Sequence, residues 1–419
     1  MKRNFLLMSI LAASLLFAGP LWAEIAAVKV TVDAGKHDRR NVPVRTLITL
    51  PKALAKATVV IHTGVDGKSI VGQLTAPSLL AKTKRPADGN VQRELHFIWS
   101  GTKGTKATLT FEIVGGINAP AGGFAWHDTK GDYNELKFGR RPVLRYMYTP
   151  LDESTKERRM ATYKVYHHVY DPKGKRFVTK GPGGLYPHHR GLYYGFNRIS
   201  YGKGKRADVW HCNRGESQSH EGFLASEAGP VVGRHLVAVD WHGQDGKVFA
   251  KEQREMSVYN TPGGLLIEFA SRLSSTVGPL KLDGDPQHAG FQFRASQEVP
   301  DKTAKLTYYL RPDGKDKPGS YRNWPGNKTH ANLPWNAMSF VLGEQRYTCC
   351  YLDHPKNPKE ARYSERNYGR FGSYFEASID EGKPLDLNYR VWLQEGEMTV
   401  AGVSEQSNNF VEPVTVTVE

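Results

Sequence analysis

Residues 231–274 read VVGRHLVAVDWHGQDGKVFAKEQREMSVYNTPGGLLIEFASRLS. Residues 231–241 and 247–259 are long runs with the β-branched and aromatic content of strands. Between them His242-Gly243-Gln244-Asp245-Gly246 has turn chemistry, and Thr261-Pro262-Gly263-Gly264 marks a second turn before a third run at 265–274. In that third run Leu265, Ile267 and Phe269 alternate with Leu266, Glu268 and Ala270. A period of two puts the first three on one apolar face and leaves a mixed face opposite. Three long strands joined by tight turns form an antiparallel meander. Strands of this length must bury a face against a second sheet, so the stretch predicts a large antiparallel β-sandwich.

Outward from this meander the β pattern continues. Short strands are expected at 28–32, 44–50, 57–62, 95–99 and 107–114, and later ones at 304–310, 337–342, 346–352, 385–393 and 398–403. No amphipathic helix longer than three turns is expected, and no internal repeat stands out. Gly115-Gly116-Ile117-Asn118-Ala119-Pro120-Ala121-Gly122-Gly123 cannot form a regular element and has little to bury. It reads as a linker at 116–123. The expected fold is therefore all-β, with a small N-terminal β-sandwich at 24–115 and a large β-sandwich domain at 124–419.

The N-terminus carries Lys2 and Arg3, an apolar run from Phe5 to Ala18, and Ala23 before Glu24. This predicts a signal peptide at 1–23 and a periplasmic or secreted mature chain. The apolar run is short for a membrane span, which needs about 20 residues, and no other long apolar run follows. The formal charge of +15, less the charges of Lys2 and Arg3, becomes +13. That excess could attract nucleic acid, anionic lipid or an acidic glycan, or be a solvated basic surface; the expected export and the scattering of the basic residues weigh against nucleic acid. Cys212, Cys349 and Cys350 allow one disulfide, from Cys212 to either neighbour, and the absence of a Cys-x-x-Cys pair argues against a cysteine zinc site.

His-Glu-x-x-His, Gly-x-Ser-x-Gly, phosphate-loop and Rossmann patterns are all absent. Polar clusters stand out instead. They are Pro187-His188-His189-Arg190-Gly191; Asp208-Val209-Trp210-His211 with Ser219-His220-Glu221-Gly222; the run from Asp285 through His288 to Arg294; and Asp353-His354-Pro355, followed by Tyr363-Ser364-Glu365-Arg366 and Arg370. The order "PHHRG", "D-x-W", "SHEG", "HAGFQFRA" and "DHPKNP…YSERNYGRFG" resembles the PmoA-like family of secreted bacterial proteins over roughly residues 138–395. The resemblance implies an all-β sandwich. It also implies a link to carbohydrate metabolism, since relatives tend to be encoded beside sugar oxidoreductases and hydrolases. The methane oxygenase subunit behind the name is an integral membrane protein, and no spanning helix is expected here.

In a strand His188 and His189 would face opposite ways, whereas a Gly/Pro-rich loop lets both converge. Neutral histidine can move a proton or bind a metal, and arginine can hold an anion through two parallel hydrogen bonds. His288 and Arg294 are an even number apart, which puts Phe291 and Phe293 on the core side and Gln292 with Arg294 on the other. The candidate catalytic residues are His188, His189, Arg190, His220, His288, Arg294 and His354. Trp210, Glu221, Glu365, Arg366 and Arg370 are candidate substrate-binding residues. His188, His189, His220, His288 and His354 are also nitrogen donors for a divalent metal. His188, His189, Arg190, His288, Arg294 and His354 are expected to meet in one cleft. The expected activity is that of an exported carbohydrate-active enzyme, lyase- or hydrolase-like, acting on a glycoside or oxidised sugar. The alternative is a non-catalytic binder of an acidic glycan. A binder should show a long open aromatic groove, and an enzyme several histidines in one pocket.

Overall fold

The computed structural model describes residues 25–64, 68–114 and 122–419. The expected signal peptide at 1–23 and most of the expected linker at 116–123 lie outside the described residues. The chain is all-β, in several antiparallel sheets. The predicted meander is present as Val232–His242, Val248–Thr261 and Gly264–Ser275, each strand paired antiparallel with the next. It forms one side of a nine-stranded sheet, which continues through Leu385–Glu395, Gln345–Asp353 and Trp335–Leu342.

An eight-stranded sheet faces it. Third from one edge, Ala289–Arg294 lies between Arg370–Tyr374 and Leu192–Phe196. The two sheets share one core. Phe269 of the meander stacks on Phe291 with ring centroids 4.3 Å apart, and Leu265, Ile267 and Phe293 belong to the same cluster. The mixed face of the third meander strand is buried too, beneath the N-terminal unit. There the Glu268 carboxylate accepts from Arg390 Nε at 3.0 Å and from Arg45 Nη1 at 3.1 Å. A third, four-stranded sheet holds Lys205–Ala207, Arg198–Tyr201, Leu280–Asp283 and Ala377–Ile379.

The N-terminal unit is a seven-stranded sheet with its own apolar core around Val30, Val44, Leu95, Phe97 and Phe111. Its last strand corrects the expected division at 115. Thr415–Val418 pairs with Ile25–Asp33, so the end of the chain returns to complete the front sheet. Contact with the larger unit is also denser than the glycine-rich linker suggests. Gln73 caps the backbone of Val231 and Val232, and His96 Nδ1 lies 3.1 Å from the Tyr259 hydroxyl. Arg234, 2 % exposed, is shared among Glu94, Glu227 and Glu255.

Three local expectations fail. Residues 398–403, read as a strand, begin the helix Val400–Val411, which runs slightly beyond three turns. Thr399 caps it by accepting from Gly402 N at 3.0 Å, and Val403, Ser407 and Phe410 bury one face at helical spacing. Residues 299–306 form two short helical turns, and the strand expected at 304–310 starts only at Tyr308. The three cysteines are unbonded and buried, with Cys349 and Cys350 on opposite faces of one strand in different core clusters. Among the described residues no helix is long and apolar enough to cross a membrane.

Candidate functional site

The loop at 183–191 is built to turn two adjacent histidines the same way. Gly183 and Tyr186 sit at φ 85° and 54°, the left-handed region. Gly191 has no room for a side chain, because a Cβ there would lie 2.4 Å from the His167 carbonyl oxygen. Arg190 clamps the loop from within. Its guanidinium donates to the carbonyls of Pro187, His189 (3.1 Å) and Met160 (2.5 Å). His188 and His189 thereby lie with ring centroids 4.6 Å apart, and the Nε2 atoms of both are buried without a partner.

Two further histidines arrive on matching Asp-x-x-His turns. Asp208 accepts from the backbone N–H of Trp210 and His211 and holds His211 Nδ1 at 2.8 Å. Asp285 accepts from Gln287 N and holds His288 Nδ1 at 2.9 Å. Each carboxylate thus fixes one ring nitrogen and leaves Nε2 free. His188 lies 4.5 Å from His211 and 5.2 Å from His288, and His211 lies 4.5 Å from His288, between centroids. One ligand atom from each of His188, His189 and His288 falls within 4.8 Å of the others.

The surroundings are cationic. Arg190, Arg294 and Arg370 are each at most 2 % exposed, and none has a carboxylate partner among the described residues. Arg294 donates to the Ala295 and Tyr368 carbonyls, leaving its Nε and Nη2 unpartnered. Arg370 donates to the Pro286 carbonyl, Gln292 and Ser364, leaving Nε unpartnered. Lys164 donates to the carbonyls of His188 and Trp210. Elsewhere Arg234, Arg254, Arg311 and Arg390 pair with carboxylates, so the lack of counter-charge is local.

Titration follows from this setting. Burial, aided by His211 and Lys164, lowers His188 to about 2, and burial with His188 and Arg370 nearby holds His189 well below the ordinary 6.5. Burial also lowers His288, opposed by its bond to Asp285. Asp285 is pushed up by burial but falls on balance, because His288 and the Gln287 and Asn197 donors favour the carboxylate. Burial brings Lys164 to about 7 and Arg294 to about 10. At neutral pH His188, His189 and His288 are therefore uncharged, among guanidinium groups.

A cavity of about 500 Å³ lies alongside. Its floor is the outer face of the four-stranded sheet, where Ser200 faces Arg206 and Lys281, and Arg198 faces Asp283. Ile199, Ala207 and Leu282 alternate with these residues and point into the core. The side chains of Arg206 and Arg214 form no hydrogen bond or ion pair among the described residues. Asp208 and Asn197 belong both to this cavity and to the histidine cluster, since Asn197 Nδ2 donates to Asp285 at 2.6 Å.

His188, His189, Arg190, His288, Arg294 and Arg370 are brought together, with Gln292 on the arginine side as expected. His354 is not. It packs on Phe410 beside Arg45, Glu268 and Arg390, where the front unit meets the larger one. His220 stands apart with Tyr146, Tyr148 and Phe223, and Glu221 is exposed and takes a hydrogen bond from Ser219. Glu365 is a scaffold residue, fully buried and bidentate with Arg311 at 2.7 and 2.5 Å. Arg366 bonds the Glu365 carbonyl and stacks over Tyr321, away from the histidines. Trp210 is 2 % exposed and lies 5.9 Å from the His189 ring, so it walls the site and offers no open stacking face. Sequence reasoning placed Asp208, His211 and Asp285 in polar clusters without choosing them as site residues, and it passed over Lys164. The signal for the first three was the repeated Asp-x-x-His spacing.

Residues 134–408 match a family described as Family of unknown function (DUF6807). The chain belongs to this family. No curated protein matches the sequence. Among solved structures, the chain is similar to a protein in the glycosyl hydrolase family 38 from Enterococcus faecalis, with 8 % identity and a TM-score of 0.42. That match covers 94 % of this chain and 47 % of the other, so the chain spans about half its length. A galactose mutarotase related enzyme from Lactobacillus acidophilus is similar at 11 % identity and a TM-score of 0.24, over 56 % of this chain and 95 % of that one. Nothing in these matches bears on the resemblance to PmoA-like proteins.

Proposed function

We propose that this DUF6807 protein is an exported enzyme that cleaves an acidic or oxidised sugar substrate at the histidine–arginine site. The larger unit is read as a β-sandwich that carries this site at its loops, as the PmoA-like resemblance suggests. The observation that carries the reading is the trio of buried guanidinium groups without carboxylate partners beside four histidines. Leaving a buried charge unpaired is costly, and an anionic ligand is what would relieve it. A carboxylate of a sugar acid fits the free Nε–Nη2 edge of Arg294, and the neighbouring cavity is of a size that takes a small saccharide.

Elimination suits the site better than ordinary glycoside hydrolysis. The carboxylates beside the histidines, Asp208 and Asp285, are each bound to a histidine, and Glu216 and Asp283 on the cavity wall accept from backbone N–H groups. In elimination, a base takes the proton beside the substrate carbonyl or carboxylate, a carbon–carbon double bond forms, and the glycosidic carbon–oxygen bond breaks. His211, oriented by Asp208, presents its free Nε2 for the proton. Arg294 and Arg370 would stabilise the negative charge that develops. The proton taken up by His211 is passed, directly or through water, to the leaving glycosidic oxygen. Several histidines gathered in one cluster beside the cavity also favour an enzyme over a glycan binder.

The test is turnover of uronate-containing and keto-glycosides beside their neutral counterparts, followed by the ultraviolet absorbance of a new conjugated double bond. Arg294→Gln and Asp208→Asn should each lower turnover of the acidic substrates at least about 100-fold while the circular dichroism stays native. Equal turnover of neutral glycosides, or full activity in Arg294→Gln, would end the reading.

A further inference from the structure

The geometry points to a metal site: we infer that His188, His189 and His288 bind one first-row divalent transition metal, of the zinc type, through three imidazole nitrogens. The inference builds on the proposed site, but metal content can be measured with no substrate, so the two readings fail separately.

The donor set is of the right kind. Nitrogen ligands suit zinc and its neighbours rather than magnesium or calcium, which prefer oxygen. Ligation takes place through an unprotonated imidazole nitrogen, and each of the three rings offers one ligand atom to the cluster. The Nε2 atoms of His188 and His189 are buried with no hydrogen-bond partner, His189 being 1 % exposed, and buried polar atoms are rarely left so. His288 has Nδ1 committed to Asp285, which leaves Nε2 as the donor and fixes the ring. A carboxylate behind a ligating histidine is the usual outer support of such sites.

The distances are close to what ligation requires. With bonds of about 2.0–2.1 Å in a tetrahedron, two donor nitrogens lie about 3.3 Å apart. The three ligand atoms here lie within 4.8 Å of one another, so the widest pair must close by at most about 1.5 Å, within reach of small side-chain rotations. Three ligands leave a fourth position open, the pattern of a catalytic rather than a structural centre. Arg294 and Arg370 beside the cluster raise the cost of a bare cation and favour an anion, hydroxide or substrate carboxylate, in that fourth position.

The experiment uses the full chain, stripped with chelator and reloaded with Zn²⁺ or Co²⁺. One equivalent of metal should remain after gel filtration. The Co²⁺ form should show the visible d–d bands of a low-symmetry nitrogen site, and Mg²⁺ and Ca²⁺ should not compete. His288→Gln should lose the bound metal. Asp285→Asn should keep its fold and weaken metal affinity about 10- to 100-fold. His220→Ala and His354→Ala, whose side chains lie elsewhere, should retain the full equivalent. Metal below about a tenth of an equivalent in the wild-type protein, or its retention in His288→Gln, overturns the inference. So does its loss in His220→Ala. If the wild-type protein binds no metal yet turns over acidic sugars, the imidazoles act directly on the anion, and only the metal assignment falls. Should any variant fail to fold, the Co²⁺ spectrum of the wild-type chain still decides.

Discussion

Replacing Glu365 with glutamine asks whether this carboxylate is scaffold or ligand-facing. The side chain is fully buried and accepts from Arg311 Nε at 2.7 Å, Arg311 Nη2 at 2.5 Å, Arg322 N at 2.8 Å and Asn336 Nδ2 at 2.8 Å. Burial alone would raise its pKa. His330, with Nε2 3.3 Å from the carboxylate, and the hydrogen bonds of Arg311 outweigh that and bring it from the ordinary 4.5 to about 2. A gap of about 2.5 between the two values corresponds to about 3 kcal/mol of preference for the ionised form. Breaking a buried pair by removing one partner costs about 3–5 kcal/mol, which agrees. Asp316 also contacts Arg311, at 2.8 Å, so the lower end of that range is expected. Because the folded value lies below the unfolded one, this stabilisation is complete above pH 4.5 and is lost as the pH falls towards 2. Urea unfolding of the wild type and Glu365→Gln at neutral pH should differ by about 3 kcal/mol, and the gap should close as the pH approaches 2. A difference below about 1 kcal/mol at neutral pH would refute the argument. Loss of substrate binding with stability intact would return Glu365 to the site.

Two further outcomes follow from the fold. Deleting residues 413–419 removes the strand Thr415–Val418 and with it the cover of Ile25–Asp33, so the front sheet should melt at a lower temperature while site residues keep their activity; an unchanged melting profile would show the strand to be dispensable. Cys212, Cys349 and Cys350 are buried, and burial pushes the Cys212 thiol up to about 12, so none should react with a thiol reagent until the protein unfolds, and a reductant should leave the melting temperature unchanged. A melting temperature that drops with reductant would reveal a disulfide.

What the residues alone determined is whatever depends on near neighbours in the chain. The alternation in 265–270 set one face of that strand, and the order Phe291-Gln292-Phe293-Arg294 separated core from site, because successive side chains in a strand must point to opposite faces. Glycines and Pro187 around His188 marked a loop for the same local reason. Even so, Thr399-Val400 passed for strand until the cap on Gly402 and the burial of Val403, Ser407 and Phe410 made it a helix. Only the tertiary structure decided which polar clusters meet. His188, His211 and His288 lie on three turns brought side by side by the pairing of Leu192–Phe196 with Ala289–Arg294, whereas His220 and His354, equally prominent as residue types, sit on other faces of the sheets. The role of Glu365 was settled in the same way, since it turns to Arg311, 54 positions away, whereas Asp285 turns to a histidine three residues on, a pairing that the Asp-x-x-His spacing already carried. Burial and partner identity are long-range properties: they come from which strands pair and which faces stack, and no spacing within one segment encodes them.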